Sequence, residues 1–281
     1  MDGIILIDKE KGPTSFAVID VLKRKFRLKK IGHGGTLDPA GEGLLIALIN
    51  KGTKLNDFLP SEKEYDIDIT FGIQTDTDDT QGSIIDKKPV PGGLPAIIEG
   101  LIPSFTGEIM QTPPAYSALK KNGEKLCDLA RKGEAVEPEP RRAVINEIAL
   151  LSSGEDTAKL RVVCESGTYM RSLARDMGIA AGSCAVLSRL KRTRIGGFTV
   201  NDARPISAIA SIEECIIPVR AALAHIPEYE LTEKQAELIK NGHSINDQAC
   251  TLRGLVKLVF NGEVTAVASV FGGIIKIRRG I

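Results

Sequence analysis

The stretch IGHGGTLDPAGEGLL, residues 31–45, sets one aspartate, Asp38, among Gly32, Gly34, Gly35, Gly41 and Gly43, with Pro39 directly behind it and His33 five residues ahead. Three readings fit. A phosphate-cradling nucleotide loop would need a Gly-Lys-Ser/Thr ending or a strand–loop–helix around Gly-x-Gly-x-x-Gly, and neither is present. A structural turn would use the glycines for positive φ and Asp38 as a local cap. In the third reading the glycines let an outside chain approach the backbone while Asp38 is presented as a nucleophile or base, with proline biasing it toward an extended conformation.

Other chemistries are less well provided for. The five cysteines are odd in number and contain no Cys-x-x-Cys pair, and the three histidines (His33, His225, His243) have no ligand spacing with them. Reduced thiols and no metal or other cofactor are therefore expected. A net charge of +1, with 42% hydrophobic and 26% charged residues, describes an ordinary globular chain. No apolar run approaches a membrane span, and Met1–Lys11 does not read as a signal peptide, so a cytoplasmic protein is expected.

The elements that must hold the loop can be read from periodicity. Residues 3–8 form a short buried strand, and Ser15 stands as N-cap of a helix with Phe16, Ile19, Leu22 and Phe26 on its apolar side. After the loop, GLLIALINKG is apolar and compact, with Gly52 as a C-terminal cap. YDIDITF alternates, Tyr65, Ile67, Ile69 and Phe71 facing one way, and GIQTDTDDTQG is the loop that leaves it. GEKLCDLARKG predicts a short helix with Leu126, Leu129 and Ala130 inward. AVINEIALL and AKLRVVCES predict paired strands, and YMRSLARDMGIAAG a helix. Beyond a boundary near residues 222–228, a short helix precedes strands LVKLVF and EVTAVASV, joined by Asn261-Gly262, a strong hairpin signal.

Several of these stretches together resemble the TruB-type tRNA pseudouridine synthases, which isomerise uridine at position 55 of the TΨC arm. GHGGTLDP resembles the catalytic motif and KGPTSFAVID the N-terminal one. KEYDIDITFG, TDTDDTQG, QTPPAYSALK, GEKLCDLARKG, GTYMRSLARDMG and LSRLKRTRIGGF follow in order, so the likeness spans roughly residues 3–200. It implies an α+β fold: a mixed, largely antiparallel central sheet with flanking helices over residues 1–224, and a small β-rich PUA-like RNA-binding domain over 225–281. It implies Asp38 as the catalytic aspartate, Tyr65 as the ring that stacks on the target base, and Arg171 as the partner of the carboxylate. Leu190 would line the pocket, His33 and Asp79 would lie where the flipped base departs, and Tyr169 and Lys9 would contact substrate. Gly41 in place of a more usual alanine, Cys127 in place of tyrosine, and GSCA in place of GCGA depart from the pattern.

The implied chemistry suits these residue types. The ribose C1′–uracil N1 bond breaks, the base turns and rejoins through C5, without redox change. An ionised carboxylate can start this by adding to the nucleoside or by abstracting a ribose proton. In a dry pocket a carboxylate keeps its charge only beside a cation, the place given to Arg171. The uridine must be flipped from a folded loop, and an aromatic platform stabilises it there by about 1–3 kcal/mol. Basic stretches at 23–30, 189–194 and 276–279 are expected to track phosphates. A monomer acting on tRNA with no obligatory protein partner is expected. The alternatives are the catalytic subunit of a guide-RNA-directed particle and a non-catalytic RNA-binding protein.

Overall fold

The computed structural model describes residues 1–116, 120–121, 124–125 and 138–281. The expected helix over GEKLCDLARKG lies outside the described residues. In chain order the N-terminal part runs β1 (Gly3–Lys9), α1 (Ser15–Lys25), β2 (Ile31–Gly34), β3 (Gly41–Ile49), a 3-10 helix (Asn50–Phe58), β4 (Lys63–Phe71), β5 (Ile73–Thr75) and β6 (Ile84–Lys87). There follow α2 (Leu94–Phe105), β7 (Gly107–Gln111), β8 (Lys120–Lys121), β9 (Glu124–Lys125), β10 (Arg141–Ser153), β11 (Thr157–Cys164), α3 (Met170–Ala180), β12 (Ala185–Ile195), β13 (Phe198–Thr199) and β14 (Ile217–Pro218). The remainder is α4 (Val219–Ala222), β15 (Glu228–Glu230), α5 (Glu233–Lys240), β16 (Ile245–Asn246), β17 (Gly254–Phe260), β18 (Glu263–Phe271) and β19 (Ile274–Gly280).

The large sheet has the order β14-β1-β3-β12-β4-β11-β10-β7, with β2 on β3 and β13 on β12. Every pairing is antiparallel except β3 with β12, which is parallel over Gly41–Gly43 and Leu190–Arg192. The sheet is therefore mixed and largely antiparallel, as expected. β4 alternates as read: Tyr65, Ile67, Ile69 and Phe71 are buried in one core with Leu160, Leu173 and Met177, and the intervening residues are only partly covered.

β3 corrects the reading of GLLIALINKG. It is a strand buried on both faces, and such strands read as continuous apolar runs rather than alternating ones. Leu44, Ile46 and Leu48 pack with Ile4, Leu6 and the C-terminal residues Val259, Val264 and Val267. Leu45, Ala47 and Ile49 pack with Val18, Ile19 and Leu22 of α1. Gly52 is not a cap; it lies inside the 3-10 helix, where an added Cβ would fall 1.9 Å from the Gly3 carbonyl oxygen.

α1 brings a second correction. Its N-cap is Thr14, whose hydroxyl accepts from the Ala17 N–H at 3.0 Å. Phe16 faces solvent, and the buried stripe is Ser15, Val18, Ile19 and Leu22. Ser15 is thus freed for another task, described below.

The C-terminal sheet has the order β15-β17-β18-β19-β16. Asn261 and Gly262, at φ 50° and 79°, make the β17–β18 turn that the sequence announces. Thr232 and Gln235 close a capping box on α5.

Candidate active site

Asp38 stands where β3 changes partner. Along one edge, β3 pairs with β2 through Ile46–Ile49 and with β12 through Gly41–Gly43, and residues 35–40 cross between the two. Asp38-Pro39-Ala40-Gly41 is a β-turn closed by the Gly41 N–H donating to the Asp38 carbonyl at 2.9 Å, with proline at its second position and glycine at its fourth. The N-terminal motif clamps this loop. Ser15 Oγ donates to the Leu37 carbonyl and accepts from the Leu37 N–H, both at 2.9 Å. Lys9 Nζ donates to the carbonyls of Gly41 at 2.5 Å, Glu10 at 3.0 Å and Pro39 at 3.4 Å.

The glycines serve the protein's own packing rather than an approaching chain. A Cβ at Gly43, at φ +96°, would lie 2.4 Å from the Arg192 carbonyl oxygen. At Gly41 it would press on Leu37 and Leu190, and at Gly34 on Leu59. The reading that they clear space for substrate is replaced by a tighter one: they let β3, β12 and the loop close around Asp38.

The carboxylate opens into a cleft of about 270 Å³ lined by Thr36, Leu37, Asp38, Lys63, Tyr65 and Leu190 on the sheet side and by residues 167–171 on the other. Arg171, in the first turn of α3, donates from Nε to Asp38 Oδ2 at 2.9 Å. Its side chain is 7% exposed and that of Asp38 35%, so the cation is buried while the carboxylate faces the cleft. Nη1 and Nη2 donate to the carbonyls of Thr77 at 3.1 Å and Tyr116 at 2.9 Å, which fixes the guanidinium plane. Among the described residues Asp38 Oδ1 receives no hydrogen bond. The cleft also receives the N-terminus of α3, the positive end of the helix dipole. Tyr65 and Leu190 supply buried apolar surface, and Tyr169 is held by reciprocal bonds between its backbone and the Gln111 amide at 3.0 and 3.3 Å.

Asp38, Tyr65, Tyr169, Arg171 and Leu190 thus share one cleft. Asp79, His33 and Lys9 are not on its wall. Asp79 is buried behind Arg171, its Oδ2 3.9 Å from Nε, and its Oδ1 accepts from Thr77 Oγ1 and the Gln81 N–H. His33 lies on β2 opposite Ala47, with a buried Nδ1 that has no hydrogen-bond partner; burial, and then Arg192, push its pKa down. The expected substrate contact by Lys9 is corrected: the residue is 1% exposed and its ammonium is committed to the loop's carbonyls. Desolvation, only partly offset by Asp38, lowers its pKa to about 8.

Sequence reading missed Arg192. The run 189–194 was expected to be a phosphate-tracking face, but Arg192 is fully buried, donating to the carbonyls of Leu44 at 2.8 Å, Gly35 at 3.1 Å and Thr36 at 3.3 Å. It is the cross-strand partner of Tyr65. Its neighbours are tied to acids as well, Arg189 to Glu42 at 2.8 Å and Arg194 to Glu62 at 2.9 Å. The available signal was period two: Leu190 inward on a strand puts Arg192 inward also. Also missed was Arg175, which pins the TDTDD loop to α3 through Asp78 at 2.9 Å and the Thr112 carbonyl at 2.8 Å.

The model of the TruB family pseudouridylate synthases, N-terminal domain, matches residues 23–170, more than half the chain, and the chain belongs to that family. It is 40% identical over 256 residues to the tRNA pseudouridine synthase B of Geobacillus thermodenitrificans, covering 86% of this chain and 85% of that one. To the tRNA pseudouridine synthase B of Aquifex aeolicus it is 36% identical over 285 residues, covering 99% of both. Among solved structures, a chain of a Cbf5-Nop10-Gar1 complex matches with a TM-score of 0.72 and 27% identity, over 96% of this chain and 78% of that one. No helix among the described residues is long and apolar enough to cross a membrane.

Proposed function

We propose that the protein isomerises uridine to pseudouridine in tRNA, at position 55 of the TΨC loop, as a cytoplasmic monomer without cofactor or protein partner. The observation that carries the chemistry is the Asp38–Arg171 pair: one carboxylate oxygen is held at 2.9 Å by a buried guanidinium and the other faces an aromatic and aliphatic cleft. The tRNA target rests on the relatives named tRNA pseudouridine synthase B, and position 55 on the resemblance of the sequence motifs.

In this reading a flipped uridine stacks on Tyr65 against Leu190, and Asp38 acts at the ribose. The C1′–N1 bond breaks with its electron pair on the base, the base turns, and C5 bonds to C1′. The C5 hydrogen leaves to solvent and N1 takes up a proton, so substrate and product are isomers. Arg171 holds the carboxylate at 2.9 Å and aims its free oxygen at the cleft. A neutral His33 acts by shape and hydrogen bonding near the loop rather than by charge. The exposed cations at 23–30 and 276–279 track phosphates. Residues 1–224 form the catalytic domain and 225–281 a PUA-like domain.

The test is tritium release from C5-labelled uridine in an unmodified tRNA transcript, with neither guide RNA nor a second protein added. The native protein releases one equivalent, and none from a transcript carrying cytidine at 55. Asp38→Asn releases none while binding the transcript. No release by the native protein alone, with binding intact, would favour a guide-dependent subunit or a binding protein.

A further inference from the structure

A second cavity of about 310 Å³ adjoins the cleft, bounded by Gly34 and Gly35, by Asn56 to Ser61, and by Ser166 and Ile195. Nothing in the isomerisation uses it. It is close in size to the 270 Å³ cleft, and Lys63 lines both. We propose that this second cavity is the subsite for the nucleotide adjoining the target uridine in the same RNA strand, with Lys63 holding the phosphodiester that joins the two. The proposal rests on the isomerase reading and adds to it a site for the flanking nucleotide.

Lys63 is suited to an anion it does not have within the protein. Its Nζ donates to Ser166 Oγ at 3.0 Å, and that hydroxyl donates onward to the Ser61 carbonyl at 3.0 Å, so the ammonium is aimed by a fixed neutral partner. Two of its three N–H groups remain for a ligand. Among the described residues no carboxylate stands within ion-pair distance of it. Burial, and then the nearby Arg192, favour loss of its proton, a cost that an incoming anion relieves. Uracil and ribose are uncharged, so the anion that a strand brings between two adjoining cavities is the phosphodiester.

The walls fit the rest of a nucleotide. Leu59 and Pro60 offer apolar surface for a base face, and Asn56 and Ser61 offer polar groups for its edge. Asp57, the acid on the rim, is paired with Arg279 of β19 at 3.2 Å, so it does not oppose an anion alone. A strand leaving the cleft past Lys63 therefore runs toward the C-terminal sheet.

The experiment uses synthetic TΨC stem-loops in which the linkage on one or the other side of the target uridine is a neutral methylphosphonate. Binding is read by fluorescence anisotropy and turnover by tritium release. With the native protein one of the two substitutions weakens binding about tenfold. Lys63→Gln weakens binding of the unmodified stem-loop by a similar factor, lowers the slope of log affinity against log salt by about 0.7, and loses nothing further at that linkage. Lys63→Arg restores binding. Additive losses at both linkages, or no loss at either with the native protein, overturn the proposal; the latter arm needs no variant that folds. A native protein that binds the stem-loop with this linkage dependence but releases no tritium retains the phosphate site and refutes the isomerase reading instead.

Discussion

Arg192 offers the sharpest test of how the loop is held. Replacing it with methionine keeps most of the volume and removes the donors to Leu44, Gly35 and Thr36. The Leu44 carbonyl is left in a fully buried strand, where an unsatisfied acceptor costs about 1–3 kcal/mol. Those of Gly35 and Thr36 are nearer solvent and cost roughly 0.5–1 kcal/mol each when unpaired. Relief from burying a guanidinium with no acid partner offsets a part. The expected net loss is about 2–4 kcal/mol, which at roughly 2–4 °C per kcal/mol lowers the melting temperature by about 4–16 °C. Because two of the three carbonyls belong to the residues leading into Asp38, kcat should fall by about 10²-fold while KM on tRNA changes little. Arg189→Met, three strand positions earlier and exposed beside Glu42, is the control and should stay within about 0.5 kcal/mol. Differential scanning calorimetry with single-turnover tritium release decides between them. If Arg192→Met melts with the native protein, or if the two arginines behave alike, the assignment of Arg192 as the support under the loop is wrong.

Three further outcomes follow from the same geometry. Arg171→Lys keeps a cation beside Asp38 but gives up the fixed plane set by the Thr77 and Tyr116 carbonyls, so kcat should drop by roughly 10²-fold with tRNA binding retained; full activity would show that charge alone suffices. Gly43→Ala places a Cβ 2.4 Å from the Arg192 carbonyl oxygen at φ +96° and should cost at least about 2 kcal/mol in urea unfolding, whereas Gly197→Ala, where an added Cβ meets nothing, should be nearly silent. Lys9 has a folded pKa of about 8 against 10.5 for the free side chain, so between those values the unfolded chain holds the extra proton and stability rises with pH. The stability of the native protein relative to Lys9→Met should therefore improve by up to about 1 kcal/mol per pH unit from pH 8 to 10.5, and a flat difference would refute the burial of its charge.

The sequence disclosed most where one period dominated. The alternation in β4 gave its buried face, and Asn261-Gly262 gave the hairpin, because each depends on local geometry. β3 was opaque for the opposite reason. Its two faces meet α1, just across the glycine loop, and the C-terminal sheet at the other end of the sequence, and a strand covered on both sides has no period to read. The same non-local origin hid the loop's supports. Ser15 reads as a cap and Arg192 as a surface charge until the fold brings them to Leu37 and Gly35.

Those supports also explain why so many glycines surround one aspartate. In the role proposed for it, Asp38 gains from an over-determined loop, since a small displacement costs rate. Here Ser15 fixes Leu37 from one side, Lys9 and Arg192 take the loop's carbonyls from below, and Arg171 takes the carboxylate itself. Four polar side chains from three distant segments can converge on one heptapeptide, residues 35–41, only if its backbone comes within hydrogen-bond distance of them all. Gly41 and Gly43 permit that approach, pressing the loop's exit strand onto Leu190 and the Arg192 backbone. The glycines and the buried cations are therefore two halves of one device, and Gly43→Ala should mimic Arg192→Met in lowering kcat more than substrate affinity.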